Sequence, residues 1–186
     1  RDGMLFAVGD GNHSLATAKA IWDEFKTENK DMPHLLEHPA RYALVEIENI
    51  YDPAIQFEPI HRALFNINMA ELIKALARLP VLSTEQIESP QKLAKLLAEG
   101  DGGPIRYGVV AGQTAFLLNT GLTGLATEPL QPILDAFVAA KAERTIDYLH
   151  GSEETIEVAQ RPNTAGILLP PIGKSDLFMT VAKTGP

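Results

Sequence analysis

The chain has 186 residues, 45% of them hydrophobic, enough for a sizeable core in one domain or two small ones. Its net charge of −8 speaks against a general nucleic-acid or anionic-membrane surface, which needs clustered Lys and Arg to neutralise phosphates. Zero cysteines exclude disulfides, thiolate chemistry and cysteine-based zinc sites, and no apolar run approaches the ~20 residues that cross a bilayer. A cytoplasmic location is expected. The chain begins at Arg1-Asp2-Gly3 without a Met and stops at Thr184-Gly185-Pro186, so the expectation is an internal fragment of a larger protein.

Met4-Leu5-Phe6-Ala7-Val8 is a five-residue apolar run of the kind that forms a buried strand. It stops at Gly9-Asp10-Gly11-Asn12-His13-Ser14, and a helix follows with apolar side chains at Leu15, Ala18, Ile21, Trp22 and Phe25. Gly9 and Gly11 permit a tight turn, while Asn12 or Ser14 can cap the helix. A helix N-terminus opened by a glycine turn favours a phosphate or carboxylate. Asp10 and His13 add groups that move protons, and Asp10 can also ligate a metal. The same residues suit a plain connection; their crowding at one strand end, where capping needs only one, favours a site.

Beyond this joint, His34 and His38 lie four apart between two prolines, a spacing compatible with a metal pair but lacking a third ligand nearby. Arg41 to Ile50 alternates Val45 and Ile47 against Glu46 and Glu48, the pattern of a strand with one wet face. The next polar cluster is His61-Arg62, set among apolar residues; Arg offers a planar donor fork for carboxylate or phosphate, or for a structural carboxylate.

Helices are expected over Met69–Leu79 and Pro90–Glu99, with Ser83 or Ser89 as a cap; 101–104 is a turn, and a candidate internal boundary lies near 100–104. Ile105–Val110 and Thr114–Leu118 read as a hairpin, and Leu130–Ala142 as a further helix. Thr145–Leu149 reads as a strand, with Tyr148 and His150 pointing the same way beside a helix capped by Ser152. A strand over Gly166–Leu169 and a helix over 174–182 complete the chain. The fold class is α+β, a mixed sheet with flanking helices in one compact unit.

Four blocks in order carry a family resemblance: Gly9-Asp10-Gly11-Asn12-His13-Ser14 with its Ala-rich helix, Pro59-Ile60-His61-Arg62, Tyr148-Leu149-His150-Gly151, and Ile167-Leu168-Leu169-Pro170-Pro171-Ile172. Together they resemble the bacterial and archaeal family catalogued as domain of unknown function ten-fifteen. The first block is also similar to the phosphate-gripping segment of the ParB and sulfiredoxin superfamily, which includes kinases acting on free serine. That resemblance implies a ParB/sulfiredoxin-like element at the N-terminal strand-turn-helix. It makes Gly9 to Ser14 a phosphate loop, with Asp10 and His13 as catalytic candidates and Asp10 as the metal ligand. It also implies Mg2+ with ADP or ATP as cofactors. The sequence departs from the family pattern at Asn12, where His is usual, and at Ser14, where Arg is usual; losing that Arg removes a fork for the transferring phosphoryl group unless Arg62 supplies one.

The expected function is therefore binding of a phosphate-containing small molecule or nucleotide, extending to a small-molecule kinase. Gly9, Gly11, Asn12, Ser14, His61, Arg62, Tyr148 and His150 are the expected ligand-binding residues. The alternative is an anion-binding or regulatory module that catalyses nothing. No membrane partner is expected, and the acidic balance opposes nucleic acid.

Overall fold

The computed structural model describes residues 6–55, 57–100 and 103–174, and the chain divides into two units, 1–52 and 53–186. In the first unit the expected helix is present as α1 (Asn12–Glu28). The strand expected before it is not found over the described part of Met4–Val8: Phe6, Ala7 and Val8 are exposed and unpaired, while Met4 and Leu5 lie outside the described residues. Apolar character favours burial but does not supply the partner backbone that a strand requires. The cap also differs. Gly11 is the N-cap residue at φ 83°, where a side chain would be strained, and neither Asn12 nor Ser14 caps the helix.

The apolar side of α1 gathers a small aromatic cluster, with Trp22 and Phe25 stacked at 5.8 Å and the His38 ring 4.7 Å from Phe25. His38 Nδ1 accepts a hydrogen bond from the Ala40 N–H at 3.2 Å, and His34 Nδ1 lies 3.4 Å from Glu37, so both histidines have local partners. The strand expected over 41–50 is absent as well. Residues 42–49 form no ladder among the described residues, and Leu44, Val45 and Ile47 are exposed. No described residue of this unit is buried.

The second unit is built on a six-stranded sheet. Its elements in chain order are β1 (Ile60–Phe65), α2 (Met69–Leu76), β2 (Val81–Ile87), α3 (Pro90–Ala98), β3 (Arg106–Ala111), β4 (Thr114–Thr120), α4 (Thr127–Ala139), β5 (Thr145–His150), α5 (Ser152–Ala159) and β6 (Ala165–Leu168). The strands run in the order β2-β4-β3-β6-β1-β5. The class is α+β with flanking helices, as expected, but each described pair is antiparallel rather than mixed. Helical crossovers here link strands that are not neighbours, so no parallel pair results.

Strand alternation sorts the core into two layers. On one face Leu64, Tyr107, Val109 and Ile167 pack with Leu72 and Leu76 of α2 and Leu130 and Leu134 of α4. On the other, Val110, Leu117 and Leu168 pack with Leu93 and Leu97 of α3 and Ile156 and Ala159 of α5. Each buried leucine contributes roughly 1.5–3 kcal/mol through removal of apolar surface from water.

Local chemistry places the helices. Asn68 caps α2 by accepting from the Glu71 N–H at 3.2 Å, and Ser89 caps α3 by accepting from Lys92 at the same distance, with Pro90 in its first turn. The other cap candidate, Ser83, sits inside β2, a strand the sequence reading missed because residues 81–87 are mostly exposed. The hairpin is as expected, with Ala111 opposite Thr114 and Gly112 at φ 58° in its turn. The helix expected over 174–182 lies, beyond Lys174, outside the described residues.

Candidate functional site

A cavity of about 540 Å³ opens on the α3/α5 face of the second unit. That is within the range of about 300–1,000 Å³ usual for small-molecule clefts. The approach to β1 supplies Ile55, Phe57, Glu58 and Pro59; α3 supplies Ala94, Leu97 and Ala98. The chain leaving β6 supplies Leu168, Leu169, Pro171, Ile172 and Lys174, and Gly151 and Ser152 bring the head of α5. Most of the wall is therefore apolar.

His61 is the buried polar side chain in that wall, only 4% exposed. Its Nδ1 accepts the Leu169 N–H at 3.1 Å. Burial, reinforced by the adjacent Arg62 charge, pushes its pKa from 6.5 down to about 4. The ring is therefore neutral at pH 7, and with Nδ1 accepting, its proton sits on Nε2. His61 lines the cavity, and Nε2–H is the donor left on its ring once Nδ1 has accepted from Leu169.

The head of α5 adds more donors. Sequence reading made Ser152 its cap; instead Gly151 occupies the N-cap position at φ 86°, Ser152 is the first helical residue, and no side chain caps the helix. A helix start without a side-chain cap leaves early N–H groups available and carries the positive end of the helix dipole.

Arg62, next in sequence to His61, points to the opposite face of the sheet. Its guanidinium stacks over the Tyr148 ring at 4.6 Å, its cross-strand partner, donates from Nε to Gln131 Oε1 at 2.8 Å, and also bonds the Ile60 carbonyl. Gln131 Nε2 donates in turn to the Tyr148 hydroxyl at 3.0 Å and to Asp135 at 2.8 Å. Burial lowers the Arg62 pKa, against the pull of Tyr148 and Asp135, and the group remains cationic. His150, opposite Ile60 on the edge strand β5, shares this face and is exposed. The structure thus brings Arg62 and Tyr148 together, with His150 along the same face, and turns His61 away from all three.

The joint at 9–14 belongs to the first unit. Gly9, Asp10, Asn12, His13 and Ser14 are exposed, and Asp10 Oδ1 accepts from the Gly11 N–H at 2.6 Å. Among the described residues there is no group of three His, Cys, Asp or Glu side chains that could hold a metal ion. None of the described helices is long and apolar enough to cross a membrane.

A family model described as "Protein of unknown function (DUF1015)" matches residues 2–147. The chain belongs to the DUF1015 family. No curated protein and no solved structure matches it. The DUF1015 match takes in the joint, His61 and Arg62 and ends within β5, so Tyr148, His150, α5 and β6 follow it. In this DUF1015 chain several site residues escaped sequence reading. Gln131 and Asp135 sit four apart on α4 and carry no motif. Glu58 and Lys174 look like surface charges until the fold sets them at the cavity. The signals present in the sequence were the prolines at 59, 170 and 171, which flank both strands leading to it.

Proposed function

We propose that this protein binds a small molecule by a phosphate or carboxylate group held in the cavity between α3, α5 and the end of β6. The observation that carries this reading is His61, a neutral ring in the cavity wall whose Nδ1 accepts from Leu169 and whose proton therefore sits on Nε2, beside the α5 head that no side chain caps. An anion there would accept from Nε2–H and from the first amides of α5, with Lys174 at the rim for charge. Apolar walls exclude water and strengthen each of these bonds.

A nucleotide is one member of this ligand class, and transfer from ADP or ATP to free serine is the activity that the ParB-like resemblance implies. Mg2+ is usually held by one or two carboxylates together with substrate phosphates, so in this form of the reading it would enter with the nucleotide. The loop at 9–14 and the Arg62–Tyr148 pair remain candidates for gripping phosphate in that form of the reading. Calorimetric titration with inorganic phosphate, acetate, and ADP or ATP with Mg2+ tests the proposal. Saturable binding by at least one anion, weakened tenfold or more in His61→Asn, is expected. Absence of heat with every anion, or binding indifferent to His61, would overturn it, and serine turnover with ATP would add the kinase step.

A further inference from the structure

Resting on that reading, we infer that the ligand is an amphiphile, an apolar chain or branched body ending in a single carboxylate or phosphate group. The cavity has few polar groups and a largely apolar wall. His61 and the α5 head at Gly151 and Ser152 bring donors to the lining and Lys174 brings positive charge, while Ile55, Phe57, Leu97, Leu168 and Ile172 supply apolar wall. A ribose or a purine edge placed against that wall would leave hydroxyls and ring nitrogens desolvated without partners, at about 1–3 kcal/mol for each unmet group. An alkyl body meets no such penalty and removes apolar wall from water. Glu58 in the same lining works against accumulating negative charge, which favours a single anionic group over a polyphosphate.

The cavity also suits a chain of limited length. Gly108 lets α3 lie so close to the sheet that an added Cβ would meet Leu97 Cδ1 at 2.8 Å, and Gly166 does the same for α5, where it would meet Thr155 Cγ2 at 2.9 Å. Both helices are held against the sheet on either side of the opening, so the walls cannot spread freely.

Titration calorimetry with acetate, butyrate, hexanoate, octanoate and dodecanoate, with octyl phosphate, octanol and inorganic phosphate alongside, tests the inference. Affinity should rise about fourfold per methylene, the equivalent of ~0.8 kcal/mol, and then level off where the chain outgrows the cavity. Octyl phosphate should match octanoate within a few-fold, with one site per chain, and octanol should bind at least tenfold more weakly. Ala98→Phe, an exposed position on the wall, should weaken octanoate while sparing acetate. Ser152→Pro keeps a first-turn residue that helices accept and deletes one amide donor, so it should weaken all anions together.

A flat dependence on chain length with anion binding intact would overturn this inference and leave the anion site standing. Octanol binding as tightly as octanoate would instead overturn the anion site itself. Tighter binding of ATP than of octanoate would overturn the amphiphile and favour the nucleotide.

Discussion

His61 and Arg62 are neighbours in sequence with opposite surroundings, and each carries its own consequence. The folded chain holds His61 with a pKa of about 4 against 6.5 for a free imidazole, so the unfolded chain takes up this proton first as pH falls. Stability from this group is therefore complete above about pH 6.5 and declines down to about pH 4, by roughly 3 kcal/mol in total. Urea unfolding at pH 7 and pH 4.5 should show a larger loss in the native chain than in His61→Asn, after both are corrected for the carboxylates they share. Arg62 is fixed by Gln131, the Ile60 carbonyl and the Tyr148 ring. Arg62→Ala should cost about 2–4 kcal/mol because it strands those acceptors, whereas Tyr148→Leu should cost about 1 kcal/mol. Chemical denaturation of the two variants separates the roles, and equal losses would count against this geometry. Neither partner of Arg62 on α4 was legible in the sequence, because Gln131 and Asp135 sit 69 and 73 residues away in the chain and gain meaning only from the sheet.

At the scale of elements, two glycines decide how closely helices approach the sheet. Gly166 on β6 faces α5, where a methyl group would lie 2.9 Å from Thr155 Cγ2 and 3.2 Å from the Thr155 carbonyl oxygen. Backbone cannot yield cheaply, so Gly166→Ala should destabilise by about 1–3 kcal/mol through overpacking and move the head of α5. Thermal unfolding together with phosphate or octanoate titration checks this, with stability and affinity expected to fall together. Most helices were legible from their periodicity and start signals, as with Ser89-Pro90 before α3. Strands were less so. Residues 42–49 have the alternation of a strand and form none, while β2 is mostly exposed and forms one against β4. The pattern reports which face is apolar, and the ladder depends on a partner backbone that the pattern does not contain.

For the whole molecule, the buried core clusters lie in the second unit, and no described residue of the first is buried. Native-state hydrogen exchange should therefore find α1 amides exchanging orders of magnitude faster than those of β1, β3 and β6. Limited proteolysis should cut within 42–52 and leave a resistant core carrying β1 to β6. Equal protection of α1 and the sheet would contradict that distribution of stability. The sequence by itself determined the α+β class, the hairpin and the family, because composition, glycine and proline placement and local periodicity are properties of short stretches. Tertiary structure alone decided that every described strand pair is antiparallel, that His61 and Arg62 serve opposite faces, and that a cavity gathers at the head of α5. Those features depend on strand register and on contacts between residues up to 108 positions apart, as in the bond from Leu169 to His61, and no local pattern encodes them.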